Sequence, residues 1–289
     1  MQWLHFPDDP FELLAKSIGP PWEAELEAEH QLRPAHLETV DVTAGSGWER
    51  HERLLCPRCP GDDGAYPCFA VHRLTHGPGA ASLLNEKLRA IADTLDGATA
   101  EAASTVGGWH SSRDLCTWPA ARSAELPALL ASAVDLAAGR AATNVAVDEA
   151  WLNSLDRGGW NTLHTHPGSV LSGVYYVADG GCCEHGADGL AGRLALIPTA
   201  PTRLSSEQLE AHVVSRLECP PGCTPPSQEA FDYLLVEPTP GTCVVWPSFV
   251  PHFVLPAAVA PAAANDDAQR PRRRVSVAFN AGPRKDPGR

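Results

Sequence analysis

"WNTLHTHPGSVLSGVYY", residues 160–176, holds two histidines one residue apart, then a proline, then an apolar, β-branched and aromatic run. In an extended chain, side chains i and i+2 point to the same face. His164 and His166 therefore share a face if this segment is a strand. Pro167 favours that geometry, because the residue before a proline is pushed toward extended backbone. Two imidazoles side by side at a strand end grip a transition metal at two points. The plain alternative is two ordinary histidines among the twelve of the chain.

The surrounding sequence has the texture of strands. "NVAVDEAWLNSL", "VLSGVYYVA", "GRLALIPTA", "YLLVEPTPGTCVVWPSFVPHFVL" and "RRVSVAFNA" are short β-branched or aromatic runs parted by Gly, Pro and Asp. That spacing predicts a β-barrel or a two-sheet sandwich after Thr143. Before it, 81–98 reads as a helix with Leu83, Leu84, Leu88, Ile91, Ala92 and Leu95 on one stripe. A second helix is expected over 124–141, with Pro127 in its first turn and Leu129, Leu130, Ala133, Leu136 and Ala137 inward. "DPFELLAKSIG" and "PWEAELEAEHQL" each suggest a short helix, and 200–228 and 256–272 read as long loops. The expected organisation is an N-terminal extension over 1–80, then a mainly β domain over 81–289 with helices preceding its barrel.

A metal held by His164 and His166 needs a third ligand. His252, in "WPSFVPHFV", lies at or just past another strand. Further on, Arg274 and Ser276 in "RRVSVAFN" share one face, opposite Val275, Val277 and Phe279. Arg and Ser opposite an apolar face suit a strand whose polar side lines a cavity for an anion, since a guanidinium binds carboxylates through a planar fork. Taken alone, Arg274 reads as one of a solvated basic run, "RPRRR"; the joint pattern of His-x-His, a distant His and Arg-x-Ser is more specific than its parts.

"HTHPGSVLSGVYYV", "GTCVVWPSFVPHFV" and "RVSVAFN" closely resemble the 2-oxoglutarate/Fe(II) oxygenases within the double-stranded β-helix dioxygenases. "STVGGWHSSRDL" and "AWLNSLDRGG" resemble that family's upstream segments, and the resemblance spans roughly 82–282. It implies a jelly-roll, cupin-like core with Fe(II) at its open mouth, and 2-oxoglutarate and O2 as co-substrates. By position, His164 and His252 match metal ligands, Arg274 matches the residue that pairs with the far carboxylate of 2-oxoglutarate, and Ser276 matches its accompanying hydroxyl. A carboxylate usually stands at position 166. The histidine here is either a third imidazole ligand or a neighbour of the metal. Ligating imidazoles usually give their other N–H to a partner. Asn161, Ser169, Tyr175 and Tyr176 are candidates beside the site, and counting by twos favours Tyr176. Trp246 and Phe249 flank His252, where they exclude water or simply pack. The implied reaction is oxidation, by default hydroxylation, of an unidentified small molecule, peptide or protein, with release of succinate and CO2. The rival readings are a non-oxidative cupin-like zinc protein and an inactive binding module.

Composition bounds the rest. With 22 Lys and Arg against 35 Asp and Glu, the formal net charge is −13, which argues against a phosphate-binding surface. No run approaches the ~20 apolar residues of a membrane span. "MQWLHFPDDPFELLAKS" has acids where a secretory leader would be basic and apolar, so a cytoplasmic protein is expected. Nine cysteines do not read as a disulfide framework. Cys56, Cys59 and Cys68 in "CPRCPGDDGAYPC", with His72 after them, have spacing that could hold structural zinc. The alternative is free loop thiols, the preferred reading for Cys182, Cys183, Cys219 and Cys223.

Overall fold

The computed structural model describes residues 36–42, 46–55, 70–95, 104–139, 144–182, 191–196, 234–257 and 273–284. The two short helices expected before residue 35, Cys56, Cys59, Cys68, the first long loop and the second from residue 258 lie outside these residues.

The described residues form eleven strands in one curled antiparallel sheet, backed by helices. Strands β1 (His36–Val40), β2 (Trp48–Leu55) and β3 (Ala70–His76) come first. Helix α1 (Pro78–Leu95) follows, then β4 (Thr105–His110), α2 (Pro119–Ser123) and α3 (Leu126–Ala138). The long strand β5 runs Val145–His164 and β6 Leu171–Asp179. Then come β7 (Leu194–Leu196), β8 (Leu234–Val236), β9 (Thr242–Pro247), β10 (His252–Val254) and β11 (Arg274–Pro283). The order is β1-β2-β3-β9-β6-β11-β5-β10-β7-β8, with β4 also on β5. No helix of the described residues is long and apolar enough to cross a membrane.

Strand β5 turns the corner of the curl. Its first half pairs with β11 and its end pairs with β10. Between them stand Gly158 and Gly159; Gly158 has φ +74, a conformation glycine adopts without steric cost. The sheet also crosses the boundary expected at residue 80, because β3 pairs with β9 and carries β2 and β1 with it. These strands have poor hydrophobic periodicity because His51, Glu52 and His72 are buried polar groups among them.

The sheet has a core on each face. Tyr175 and Val177 of β6, Cys243 and Val245 of β9, and Val275, Val277 and Phe279 of β11 pack toward Leu84, Leu88, Leu126, Leu130 and Ala133 of the helices. The alternate residues Val174, Tyr176, Val244 and Trp246 pack inside the curl with Leu155, Leu194, Leu196 and Val254. Period-two alternation thus assigns each side chain to the helical backing or to the barrel interior. Each large aliphatic so buried contributes roughly 1.5–3 kcal/mol. Helix α1 buries Ala81, Leu84, Asn85, Leu88 and Ala92. Leu83, expected on that stripe, is 57% exposed. The stripe is rotated so that Asn85 and Ala81 take the inner edge. In α3, Leu136 and Ala137 are only partly buried against the core.

Gly173 of β6 stands opposite Phe279 of β11. A Cβ there would lie 2.2 Å from Phe279 Cζ, so the ring occupies the space a side chain would need. Gly173→Ala is expected to cost about 1–3 kcal/mol through this overpacking, read by urea denaturation, and Phe279→Leu in the same chain should recover part of it.

Candidate active site

Strand pairing brings the histidines together. His252 of β10 is the register partner of His164, the last residue of β5. His166 follows in the turn, where its N–H donates to Ser248 O at 3.1 Å and so ties that turn to the segment leading into β10. Ser248 N donates back to Val170 O at 3.1 Å. The ring centroids are 4.3 Å apart for His164 and His252, 5.1 Å for His166 and His252, and 5.0 Å for His164 and His166. One nitrogen from each lies within 4.8 Å of the others, close enough for the three to hold a single metal ion. Two of the rings are also oriented by the main chain: His164 Nδ1–H donates to Thr162 O at 2.6 Å and His252 Nδ1–H to Val250 O at 3.0 Å. A carbonyl only accepts, so both rings carry their proton on Nδ1 and leave Nε2 free as a ligand.

A small cavity runs inward from this cluster. Trp151, Asn153, Asn161, Tyr176, Trp246, Arg274, Ser276 and Ala278 line it together with the three histidines. Among the lining residues Arg274 is 2% exposed. Its Nε donates to Gly192 O at 3.0 Å, its Nη1 to Ser276 Oγ at 3.4 Å, and its Cζ lies 5.3 Å over the Tyr176 ring. These partners are all neutral, and a buried guanidinium without a carboxylate is costly. Trp246 Nε1, in a residue lining the same cavity, is buried with no hydrogen-bond partner among the described residues, and the buried Tyr176 hydroxyl has Arg274 as its polar neighbour. A cation, a tyrosine hydroxyl and an unpartnered indole N–H around one cavity fit a small carboxylate ligand. Three imidazole nitrogens lining the same cavity fit Fe(II).

The sequence candidates divide clearly. Tyr176 lies on the cavity face, whereas Tyr175 lies on the helical side, its hydroxyl 3.4 Å from His76 Nδ1. Asn161 lines the cavity and donates to Thr105 Oγ1 at 3.0 Å. Trp246 packs edge-on to His252 at 5.0 Å, while Phe249 is 41% exposed. Ser169 meets His166 and Ser248 through its main chain only. The zinc reading finds no support among the described residues: His72 Nδ1 is 2.9 Å from His51 Nε2.

Sequence reading missed Trp151, Asn153, Asn280, Glu149 and Arg113. Asn153 is buried and lines the cavity as the register partner of Ser276. Asn280 lies 3.4 Å from His166 and 3.2 Å from Glu149, which accepts from Arg113 at 3.1 Å. Trp151 stands 5.8 Å from His166, with Arg113 at 5.2 Å over its ring. The signal was present: Glu149, Trp151 and Asn153 alternate with Ala150 and Leu152, and Asn280 continues the series from Arg274 through Ser276.

Residues 149–280, a little under half of the chain, match the family model described as "Putative 2OG-Fe(II) oxygenase". No curated protein matches the chain in sequence. Similar solved structures include a Pseudomonas putida prolyl-4-hydroxylase, 18% identical, covering 74% of this chain and 92% of its own, at TM-score 0.44. Streptomyces hygroscopicus HygX with nickel, 2-oxoglutarate and hygromycin B is 13% identical, covering 74% and 82%, at 0.46. Streptomyces viridochromogenes AviO1 is 13% identical, covering 75% and 90%, at 0.48. At such scores these likenesses carry no functional argument.

Burial sets the protonation of the site. It lowers the pKa of His164, lowers that of His166 to about 3, and lowers that of His252 well below the usual value; neighbouring imidazoles deepen the effect on His166 and His252. The folded chain therefore keeps these rings neutral where the unfolded chain, with values near 6.5, takes up protons. Their contribution to stability is unaffected above about pH 6.5 and falls as pH drops from there, for His166 down to about 3, by up to about 1.4 kcal/mol per pH unit per ring. Metal-stripped protein should accordingly unfold at lower urea at pH 5 than at pH 7, and His252→Gln should shrink that difference. Over residues 149–280 the chain is similar to the family described as "Putative 2OG-Fe(II) oxygenase".

Proposed function

We propose that His164, His166 and His252 hold Fe(II), that Arg274, Ser276 and Tyr176 hold the far carboxylate of 2-oxoglutarate, and that the enzyme hydroxylates a prime substrate with release of succinate and CO2. The observation that carries this is one cavity lined both by three imidazoles and by a buried Arg274 that has no carboxylate partner among the described residues. When bound, Fe(II) and 2-oxoglutarate supply the activation of O2 needed to oxidise an unreactive C–H bond. The chain supplies placement and electrostatics. Arg274 and Ser276 fix the co-substrate's depth, and Asn153 and Asn161 offer amides along the cavity. Trp151 and Trp246 flank the imidazoles with apolar surface that limits water. Three neutral imidazoles leave the metal's charge uncancelled, which favours an anionic co-substrate over a site with a carboxylate ligand. The thiols of Cys116 and Cys243 suit a reducing compartment such as the cytoplasm.

The test is aerobic succinate release from 2-oxoglutarate by Fe(II)-loaded protein, alongside metal content. Turnover is expected; full occupancy by zinc with no succinate would instead favour a non-oxidative metal protein. Arg274→Ala should raise the 2-oxoglutarate requirement at least tenfold while iron content stays unchanged, since a charge-assisted two-point contact contributes more than about 1.4 kcal/mol. His166→Asp should retain iron, because a carboxylate completes the same facial set, and metal analysis of the purified variant checks it.

A further inference from the structure

The three imidazoles are not held alike. His164 and His252 give their Nδ1 protons to the carbonyls of Thr162 and Val250. His166 Nδ1 instead lies 3.4 Å from Nδ2 of Asn280. The same Nδ2 donates to Glu149 Oε2 at 3.2 Å, and Asn280 Oδ1 accepts from Ser172 Oγ at 2.9 Å. Asn280 and Ser172 are 2% and 1% exposed, so water does not offer them other partners. Glu149 is anchored in turn by Arg113 Nη1 at 3.1 Å.

A carboxylate only accepts, so Glu149 requires the amide to show it an N–H. The second N–H of that group then meets His166 Nδ1, which must accept. The ring proton is thereby placed on Nε2, the nitrogen that the other two rings keep bare. From this we infer that Asn280 sets the tautomer of His166 and makes it a conditional third ligand. His166 offers a lone pair at Nε2 when the amide turns, so that Oδ1 accepts from Nδ1–H and Nδ2 donates to Ser172 Oγ, a hydroxyl that can also accept. That turn sets the amide oxygen against Glu149, which must move off toward Arg113. Asn280 touches no reacting atom; it is a positioning residue, and Glu149 is the group that dictates its orientation. The inference rests on the three-imidazole centre proposed above.

Long-range proton–nitrogen correlation spectra of metal-stripped, histidine-labelled full-length protein at pH 8 test it. His164 and His252 are expected as Nδ1–H tautomers and His166 as Nε2–H. Glu149→Ala, at a partly exposed site, removes the demand on the amide. It should shift His166 to Nδ1–H and tighten Co(II) binding about tenfold, the scale of such outer-shell effects. Simple loss of a nearby negative charge would weaken Co(II) binding instead. His166→Ala should then cost more Co(II) affinity in the Glu149→Ala background than in the wild type. An Nδ1–H tautomer for His166 in the wild type, or weaker Co(II) binding in Glu149→Ala, overturns the inference. Co(II) binding unchanged by His252→Ala would overturn the metal centre itself, which separates the two failures.

Discussion

The site depends on one register. Pairing His252 with His164 across β10 and β5 sets two imidazoles 4.3 Å apart at the end of β5. A one-residue slip would turn His252 to the other face of the sheet. The glycine pair at 158–159 lets one twenty-residue strand serve both sides of the curl, so that β11 and β10 can both lean on it. Arg274 and the histidines then face the same interior, because they hang from that shared strand.

The energetics of this arrangement run against stability. A buried guanidinium with neutral partners, a buried Tyr176 hydroxyl, a Trp246 indole N–H with no partner among the described residues, and three neutral histidines are groups a core would not choose. The two apolar clusters on either face of the sheet offset them. Such local cost inside a well-packed frame is what a preorganised binding cavity requires: the polar groups are already stripped of water and aimed before a ligand arrives.

Much of this was legible in the sequence. Short β-branched runs with turn residues between them announced the β domain, and period-two alternation in "RRVSVAFN" separated Arg274 and Ser276 from Val275, Val277 and Phe279. The same alternation continues to Asn280 and recurs in Glu149, Trp151 and Asn153, but polar residues at a strand's end look like solvated ones until pairing shows what faces them. The early strands were hidden because β2 and β3 bury His51, Glu52 and His72, which gives no hydrophobic period. Leu83 shows the converse limit. Its spacing fits the buried stripe of its helix, yet packing turns that helix so that Asn85 is inside. The prime substrate is not written in either register, since the cavity face described here is spent on the metal and the co-substrate.

The most direct test of the account is a crystal structure grown without oxygen in the presence of Fe(II) and 2-oxoglutarate, with anomalous data at the iron edge. The account predicts a single strong peak bounded by the imidazoles of residues 164, 166 and 252, with the far carboxylate of the co-substrate on Arg274. An iron peak elsewhere, or a co-substrate carboxylate that leaves Arg274 untouched, would contradict it.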